Sequence, residues 1–183
     1  MLVKFLAFVL TIAFVTVNLT AENAPFVICK DRPSSSIDVR AEVNPCNVTA
    51  NQTCGLIRGT DANFTLFFTP TINVTGPIER LIMAKFNKQM KGKDVDVAYG
   101  GAVPADNRTF LIDTIDNTVD KGLIAGQKYY HNDLFNVLAS SPKTSLWSRY
   151  ILRTTVPCKK SKCNYLRHPG ELLVCVEIPV TLD

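Results

Sequence analysis

Apolar residues occur along the chain in short runs that are rich in β-branched and aromatic side chains. Clusters of turn-forming residues separate these runs, and no long amphipathic helical pattern is present. Many short strands between frequent turns are typical of an antiparallel β-sandwich. The pattern predicts strands over residues 25–29, 37–43, 62–69, 78–86, 109–115, 127–137, 146–154 and 172–182. Pro179, which has no N–H donor, places the last strand or its end at a sheet edge.

The alternation of side chains assigns the inner face of three of these strands. A glycosylated Asn63 has to face water, and Glu177 marks the outer face of the last strand. Arg149 and Arg153 are likewise expected to face water. The inward positions are then Phe64, Leu66, Phe68, Leu146, Ser148, Tyr150, Leu152, Val174, Val176, Ile178 and Val180. Over residues 127–137 either face could point inward, the one with Tyr129, His131, Asp133, Phe135 and Val137 or the one with Tyr130, Asn132, Leu134 and Asn136.

The first 21 residues have the layout of a secretory signal peptide. Lys4 provides a positive start, an uncharged apolar run covers residues 5–17, and Ala21 is a small residue at the expected cleavage site. The run is shorter than the roughly 20 apolar residues that cross a bilayer. We therefore expect residues 1–21 to be removed and residues 22–183 to form one secreted domain.

All six cysteines follow the predicted signal peptide, and an even number in a secreted chain indicates three disulfides. Because there is no CxxC motif and the chain has only two histidines, no metal site or other cofactor is expected. The net charge of +4 without a dense basic block argues against nucleic-acid binding. Sequons predict N-glycosylation at Asn47, Asn51, Asn63, Asn73 and Asn107.

Several segments, in this order, resemble the ML lipid-recognition domain, a family that includes the soluble Niemann–Pick type C sterol carrier and the group 2 mite allergens. They are an early Cys29, the Pro-Cys at residues 45–46, and Cys54 followed by GLIRG. The segments VDV at residues 95–97, LIAGQKY at 123–129 and LVCVEIPV at 173–180 complete the set. The resemblance covers almost the whole predicted mature chain.

The resemblance implies an all-β, immunoglobulin-like β-sandwich of two antiparallel sheets with a lipid cavity between them. It also implies the disulfides Cys29–Cys175 and Cys46–Cys54. The pair Cys158–Cys163 then follows by elimination and by the short spacing between its members.

The middle of the chain departs from the family pattern. Family members usually carry a cysteine pair there, whereas no cysteine lies between Gly55 and Pro157, and Gly122 stands where one of that pair is expected. Residues 100–121 also form a longer and more acidic segment than the family leads us to expect. These differences affect the expected ligand more than the expected fold, because in the family this region helps to form the mouth of the cavity.

The resemblance implies a non-enzymatic carrier of a sterol or fatty-acyl lipid. We expect a monomer, secreted or in the lysosomal lumen, that makes transient contact with membranes or with a lipid-accepting protein. The lipid is expected to contact Phe64, Leu66, Phe68, Tyr129, Tyr150, Leu152, Val176 and Ile178. No catalytic residue is predicted, since no nucleophile motif is present and a strand histidine such as His131 is usually structural.

Two alternatives to the carrier remain open at this point. One is an innate-immune recognition module that presents a lipid to a receptor. The other is an extracellular domain with a filled core and no ligand, and alternation alone favours this second alternative, because every sandwich has inward aromatic residues. The resemblance is what favours a carrier over a filled core.

Overall fold

A computed structural model describes residues 24–49, 51–90, 93–98, 103–105, 108–112, 122–155 and 170–183. These residues form twelve β-strands in two sheets and no α-helix. The strands are β1 (Val27–Ile28), β2 (Ser36–Asn44), β3 (Asn47–Val48), β4 (Cys54–Leu56), β5 (Asp61–Pro70), β6 (Ile78–Met90), β7 (Lys93–Ala98), β8 (Val103–Pro104), β9 (Thr109–Leu111), β10 (Tyr129–Asn136), β11 (Thr144–Thr154) and β12 (Leu172–Leu182). The described part of the chain contains no helix with the length and apolarity needed to cross a bilayer.

The larger sheet has eight strands, in the order β3-β4-β12-β11-β6-β7, with β1 paired to β12 and β8 paired to β6. The smaller sheet has the order β2-β5-β10-β9. All pairings are antiparallel except that of β4 with β12. Two mostly antiparallel sheets that pack face to face confirm the predicted all-β, immunoglobulin-like sandwich.

The predicted strands agree with the observed strands at their centres and differ at their ends. The strand predicted over residues 127–137 begins at Tyr129, because residues 124–127 form a turn in which Gln127 N–H donates to Ile124 O and Gly126 has a φ of +80°. Strand β7 was not predicted, since charged residues alternate with its valines, as is common in a strand at a sheet edge. Of the strand predicted over 109–115, residues 113–115 lie outside the described residues.

The core between the sheets contains the expected inward faces. Phe64, Leu66 and Phe68 are buried there, which confirms the alternation assigned to β5. Val174, Val176, Ile178 and Val180 of β12 are buried there as predicted, but Leu173, Cys175 and Glu177 on the opposite face are buried as well. In β10, where the sequence left both faces open, Tyr129, His131 and Asp133 point inward and are buried.

The outer face of the larger sheet differs from the prediction. Arg149 and Arg153 were expected to face water, but each is only 2 % exposed. Arg149 donates to Glu177 and to Asp31, and Arg153 Nε donates to Glu79 Oε1 at 2.6 Å. Paired arginines can be buried because the partner carboxylate offsets the cost of desolvation.

A second apolar cluster fills the space around these ion pairs. It consists of Cys29, Leu81, Met83, Ile151 and Cys175. The disulfide Cys29–Cys175 attaches the N-terminal segment to this face, next to β1. The part of the outer face around these ion pairs is therefore covered by the chain itself.

The structure contains the disulfides Cys29–Cys175 and Cys46–Cys54, as the resemblance implied. The predicted pair Cys158–Cys163 lies outside the described residues. Disulfides persist in oxidising compartments, so the two that are present fit a secreted or lumenal protein.

Candidate functional site

An apolar cavity with a volume of about 70 Å³ lies between the two sheets. It is at the end of the sandwich where β2, β10 and β12 finish and β5 and β11 begin. Both sheets contribute walls, so the cavity lies between them at this end. The lining residues are Val43, Leu56, Ala62, Phe64, Ile82, Met83, Ala84, Phe135, Val137, Ser141, Leu146, Ser148, Tyr150, Ile178, Val180 and Leu182.

The lining contains no charged side chain, and its polar members are two serines and Tyr150. Ser148 is on the inner face of β11, and Ser141 is in the connection between β10 and β11. The backbone carbonyl of Ser141 accepts a hydrogen bond from Arg58 Nη1 at 2.9 Å, which anchors this connection beside the cavity. The chemistry of the walls therefore suits an apolar guest.

The sequence-predicted lipid contacts divide into two groups. Phe64, Tyr150 and Ile178 line the cavity. The other five are buried in the same core but do not line the cavity; they are Leu66, Phe68, Tyr129, Leu152 and Val176. Alternation found the inner faces of β5, β11 and β12, but it did not show where along a strand the cavity lies.

Several lining residues were outside the predicted set. Leu146 and Val180 were assigned inward and could have been included on that basis. Ile82 had no assigned face, and Leu56 is on the short strand β4, which the turn-rich sequence around it did not reveal.

Two stacked aromatic rings form the inner end of the cavity. The ring centroids of Phe64 and Tyr150 are 4.1 Å apart, with an angle of 17° between the ring planes. Phe64 comes from the smaller sheet and Tyr150 from the larger sheet, so this contact joins the two. The Tyr150 hydroxyl points away from the cavity and donates to Asp133 Oδ2 at 3.4 Å. Burial, with the charge of Asp133, raises the pKa of this hydroxyl well above its ordinary value.

A charged cluster lies immediately beyond these rings. Asp133 of β10 is 1 % exposed, and Arg80 Nε of β6 is 2.7 Å from its Oδ2 atom. Arg108 Nη1 pairs with the other oxygen of the same carboxylate. Because β10 and β6 belong to different sheets, the pair between Asp133 and Arg80 links the two sheets electrostatically.

His131 is on the same strand, at the edge of this cluster. Its Nδ1 atom is 3.0 Å from Thr109 Oγ1, and the Thr109 hydroxyl donates to Ala105 O at 2.8 Å. Since the single proton of that hydroxyl goes to Ala105 O, the hydroxyl accepts from His131. Nδ1 therefore carries the hydrogen of the neutral ring, and Nε2 does not. Nε2 is buried and has no hydrogen-bond partner among the described residues.

Burial lowers the pKa of His131 to about 3, and the positive charges of Arg80 and Arg108 contribute to the shift. The imidazole is therefore neutral at physiological pH. It has no water-facing surface from which to exchange a proton with a substrate, which fits the structural role expected for it.

One group in the described residues has the spacing of metal ligands, namely Cys29, Asp31 and Glu177. The Cys29 sulfur is bonded to Cys175, and both carboxylates are paired with Arg149. These groups are therefore occupied by one another, and the cluster is better described as part of the covered outer face.

Comparison with known proteins gives a structural similarity. No protein-family model matches the sequence, and no curated protein matches it closely enough to be considered a relative. Among solved structures, a Niemann–Pick type C2 protein from the Japanese carpenter ant superposes with a TM-score of 0.58 at 17 % identity, over 87 % of this chain and 99 % of that chain. A sporulation control protein from Bacillus subtilis gives a TM-score of 0.43 at 8 % identity, over 79 % of this chain and 48 % of that chain. The first similarity bears out, at the level of the fold, the resemblance noted in the sequence.

Proposed function

We propose that this protein binds and carries an apolar lipid, a sterol or a fatty-acyl chain, between its two β-sheets. The observation that supports the proposal best is the cavity with walls from both sheets and no charged lining residue. An apolar guest gains about 25 cal/mol per Å² of surface removed from water, and such a lining requires no charged partner in the guest. The shared fold with a Niemann–Pick type C2 protein points in the same direction.

The volume of the cavity implies that binding includes a movement of the sheets. It measures about 70 Å³, whereas small-molecule sites usually enclose roughly 300–1,000 Å³. The Asp133–Arg80 pair joins the sheets on one side of the rings, whereas on the other side the described residues that line the cavity are mainly apolar and none is charged. A lipid is therefore proposed to enter at the apolar end and to widen it.

The predicted contacts would be reached in order as the cavity lengthens. Phe64, Tyr150 and Ile178 line the unexpanded cavity and would touch the ligand first. The deeper residues would be reached only if the stacked rings separate; they are Leu66, Phe68, Tyr129, Leu152 and Val176. A short ligand would thus contact only the first group.

The proposed setting is a secreted or lysosomal protein that acts as a monomer without catalysis. The two disulfides support an oxidising compartment. Transfer would involve transient contact with a membrane or a lipid-accepting protein near the open end. Presentation of the lipid to a receptor would use the same cavity. An extracellular domain without a ligand would bind no lipid there.

The test combines extraction and titration. Mass spectrometry of an organic extract of the purified protein is expected to show a co-purified lipid, and a fluorescent sterol and a fluorescent fatty acid are then titrated into delipidated protein. Ala62→Phe adds a ring inside the cavity, and Thr65→Phe adds the same ring to the outer face of the same strand. Loss of binding in the first variant alone, with both variants folded by circular dichroism, is the expected result. Absence of extracted lipid together with no binding of either probe would contradict the proposal.

A further inference from the structure

A groove lies at the outer face of the larger sheet, beside a short gap in the pairing of β12 with its neighbours β1 and β4. On this side of β12, β1 pairs opposite Val176 and Glu177, whereas β4 pairs from Val180 onward. Ile178 and Pro179 fall between the two partners, and Pro179 has no N–H group to leave unpaired there. The gap opens into a groove of about 470 Å³, within the range of roughly 300–1,000 Å³ that is usual for small-ligand sites.

The floor of the groove is apolar and aromatic. Phe26, Trp147 and Pro179 line it, and the two aromatic side chains are half-buried. Trp147 is the single tryptophan of the chain. A flat aromatic surface beside open space fits a flat ligand face with little charge.

The rim of the groove carries a row of hydroxyl groups. Thr181 Oγ1 donates to Thr53 Oγ1 at 3.3 Å, and Ser145 Oγ is 3.2 Å from Thr181 Oγ1. Thr53 and Ser145 both line the groove. The aromatic floor and the hydroxyl rim together match the two sides of a sugar ring, which has an apolar C–H face and a polar edge.

The same rim contains a complete sequon. Asn51, Gln52 and Thr53 all line the groove, at the tip of the connection between β3 and β4. The tip is held in place by Thr49, whose backbone N–H donates to Thr53 O and whose carbonyl accepts from Gln52 N–H, both at 2.9 Å. Asn51 itself is exposed. The asparagine is thus accessible for modification and held beside the groove.

We propose that an N-linked glycan on Asn51 lies in this groove, with its first sugar rings against Trp147 and its polar groups on the hydroxyl rim. The attachment requires a lipid-linked oligosaccharide pyrophosphate. The Asn51 amide nitrogen forms a bond to the anomeric carbon, the bond from that carbon to the pyrophosphate oxygen breaks, and the amide loses a proton. Once attached, the glycan is at high effective concentration, so weak contacts suffice to hold it. The glycan then fills the gap beside β12 and covers an apolar patch.

The single tryptophan allows a direct test on the protein secreted from eukaryotic cells. Asn51→Gln removes this sequon, and Asn47→Gln is the matched control because Asn47 is exposed on β3 but does not line the groove. Glycopeptide mass spectrometry is expected to find Asn51 occupied. Asn51→Gln is then expected to shift Trp147 emission to longer wavelength and to increase its quenching by acrylamide, whereas Asn47→Gln leaves both unchanged.

A second measurement covers the case in which Asn51→Gln does not fold. An amidase that removes N-glycans is added to the folded wild-type protein, and release from Asn51 is expected to be slower than release from Asn47 and to coincide with the change in Trp147 emission. An unoccupied Asn51, or tryptophan emission that is indifferent to the Asn51 glycan, would overturn the proposal. Lipid binding is not part of either readout, so the carrier proposal stands or fails separately.

Discussion

Two neighbouring regions between the sheets, the apolar end at the cavity and the charged end at Asp133, differ in chemistry although the same strands build both. In β6 the inward residue is Ile82 at the cavity and Arg80, two positions away, in the charged region. In β10, likewise, the apolar Phe135 lines the cavity, and two positions away Asp133 belongs to the charged region. A single residue belongs to both ends, since the ring of Tyr150 walls the cavity and its hydroxyl contacts Asp133.

This difference shows how one sandwich can be closed at one end and able to open at the other. Separation of the sheets at the charged end would pull the Asp133 carboxylate away from Arg80 and leave it with Arg108 alone, and breaking a buried ion pair costs several kcal/mol. Separation at the apolar end exposes hydrocarbon that an entering lipid can cover again. In the proposed carrier, the charged end would act as a fixed point and widening would be confined to the cavity.

The largest expected effect comes from breaking the charged end. Asp133→Ala leaves the partly buried Arg80 without this carboxylate and is expected to lower the free energy of unfolding by roughly 3–5 kcal/mol. Leu134→Ala, at the exposed neighbouring position, is the control and is expected to change little. Urea denaturation measures both. A loss below about 1 kcal/mol for Asp133→Ala would mean that the pair does not hold the sheets together.

Substitution of two phenylalanines of β5 compares the packed core with the cavity. Phe68→Ala empties a packed position and is expected to cost about 3–5 kcal/mol of stability, with little effect on the affinity for a short lipid that stays on the cavity side of the rings. Phe64→Ala widens an existing cavity, so it should cost about 1 kcal/mol less in stability and change lipid affinity more. Thermal melts and probe titrations of the two variants are compared. Equal losses in both quantities would remove the distinction between packed core and cavity.

The free energy of unfolding should fall at acidic pH because of His131, which lies at the edge of the charged cluster. Its pKa is about 3 in the folded protein and near 6.5 when unfolded, so the unfolded chain binds more protons between these values. Stability is therefore expected to fall by about 2 kcal/mol from pH 7 to pH 5, and to continue falling toward pH 3. His131→Asn, which cannot titrate in this range, is expected to remove this part of the slope. An unchanged slope in that variant would assign the acid sensitivity to other groups.

The smallest expected effect is that of salt on lipid affinity. Since no charged residue lines the cavity, raising the ionic strength to about 1 M should change the affinity for a fluorescent fatty acid or sterol by less than about twofold. Titrations at low and high salt measure this. A steep loss of affinity in salt would indicate that a charged surface binds the probe, in place of the cavity.

The sequence by itself determined the class of fold and the inner faces of several strands. A period of two places Phe64, Leu66 and Phe68 together in the core once Asn63 is taken as outward, and the structure agrees. The resemblance also implied both disulfides that the structure describes. These features depend on local spacing and on a few widely separated segments, both of which can be read along one chain.

Tertiary structure decided which charged side chains are buried and where the cavity lies between the sheets. Arg149 and Arg153 look exposed in the sequence, because the carboxylates that pair with them come from β12, from β6 and from the segment after Cys29. The cavity reaches only three of the eight predicted contacts, because its position depends on how residues of two sheets pack against each other and not on alternation within a strand. Burial of a charge and separation of two layers are properties of pairs of distant residues, and only the folded chain brings those pairs together.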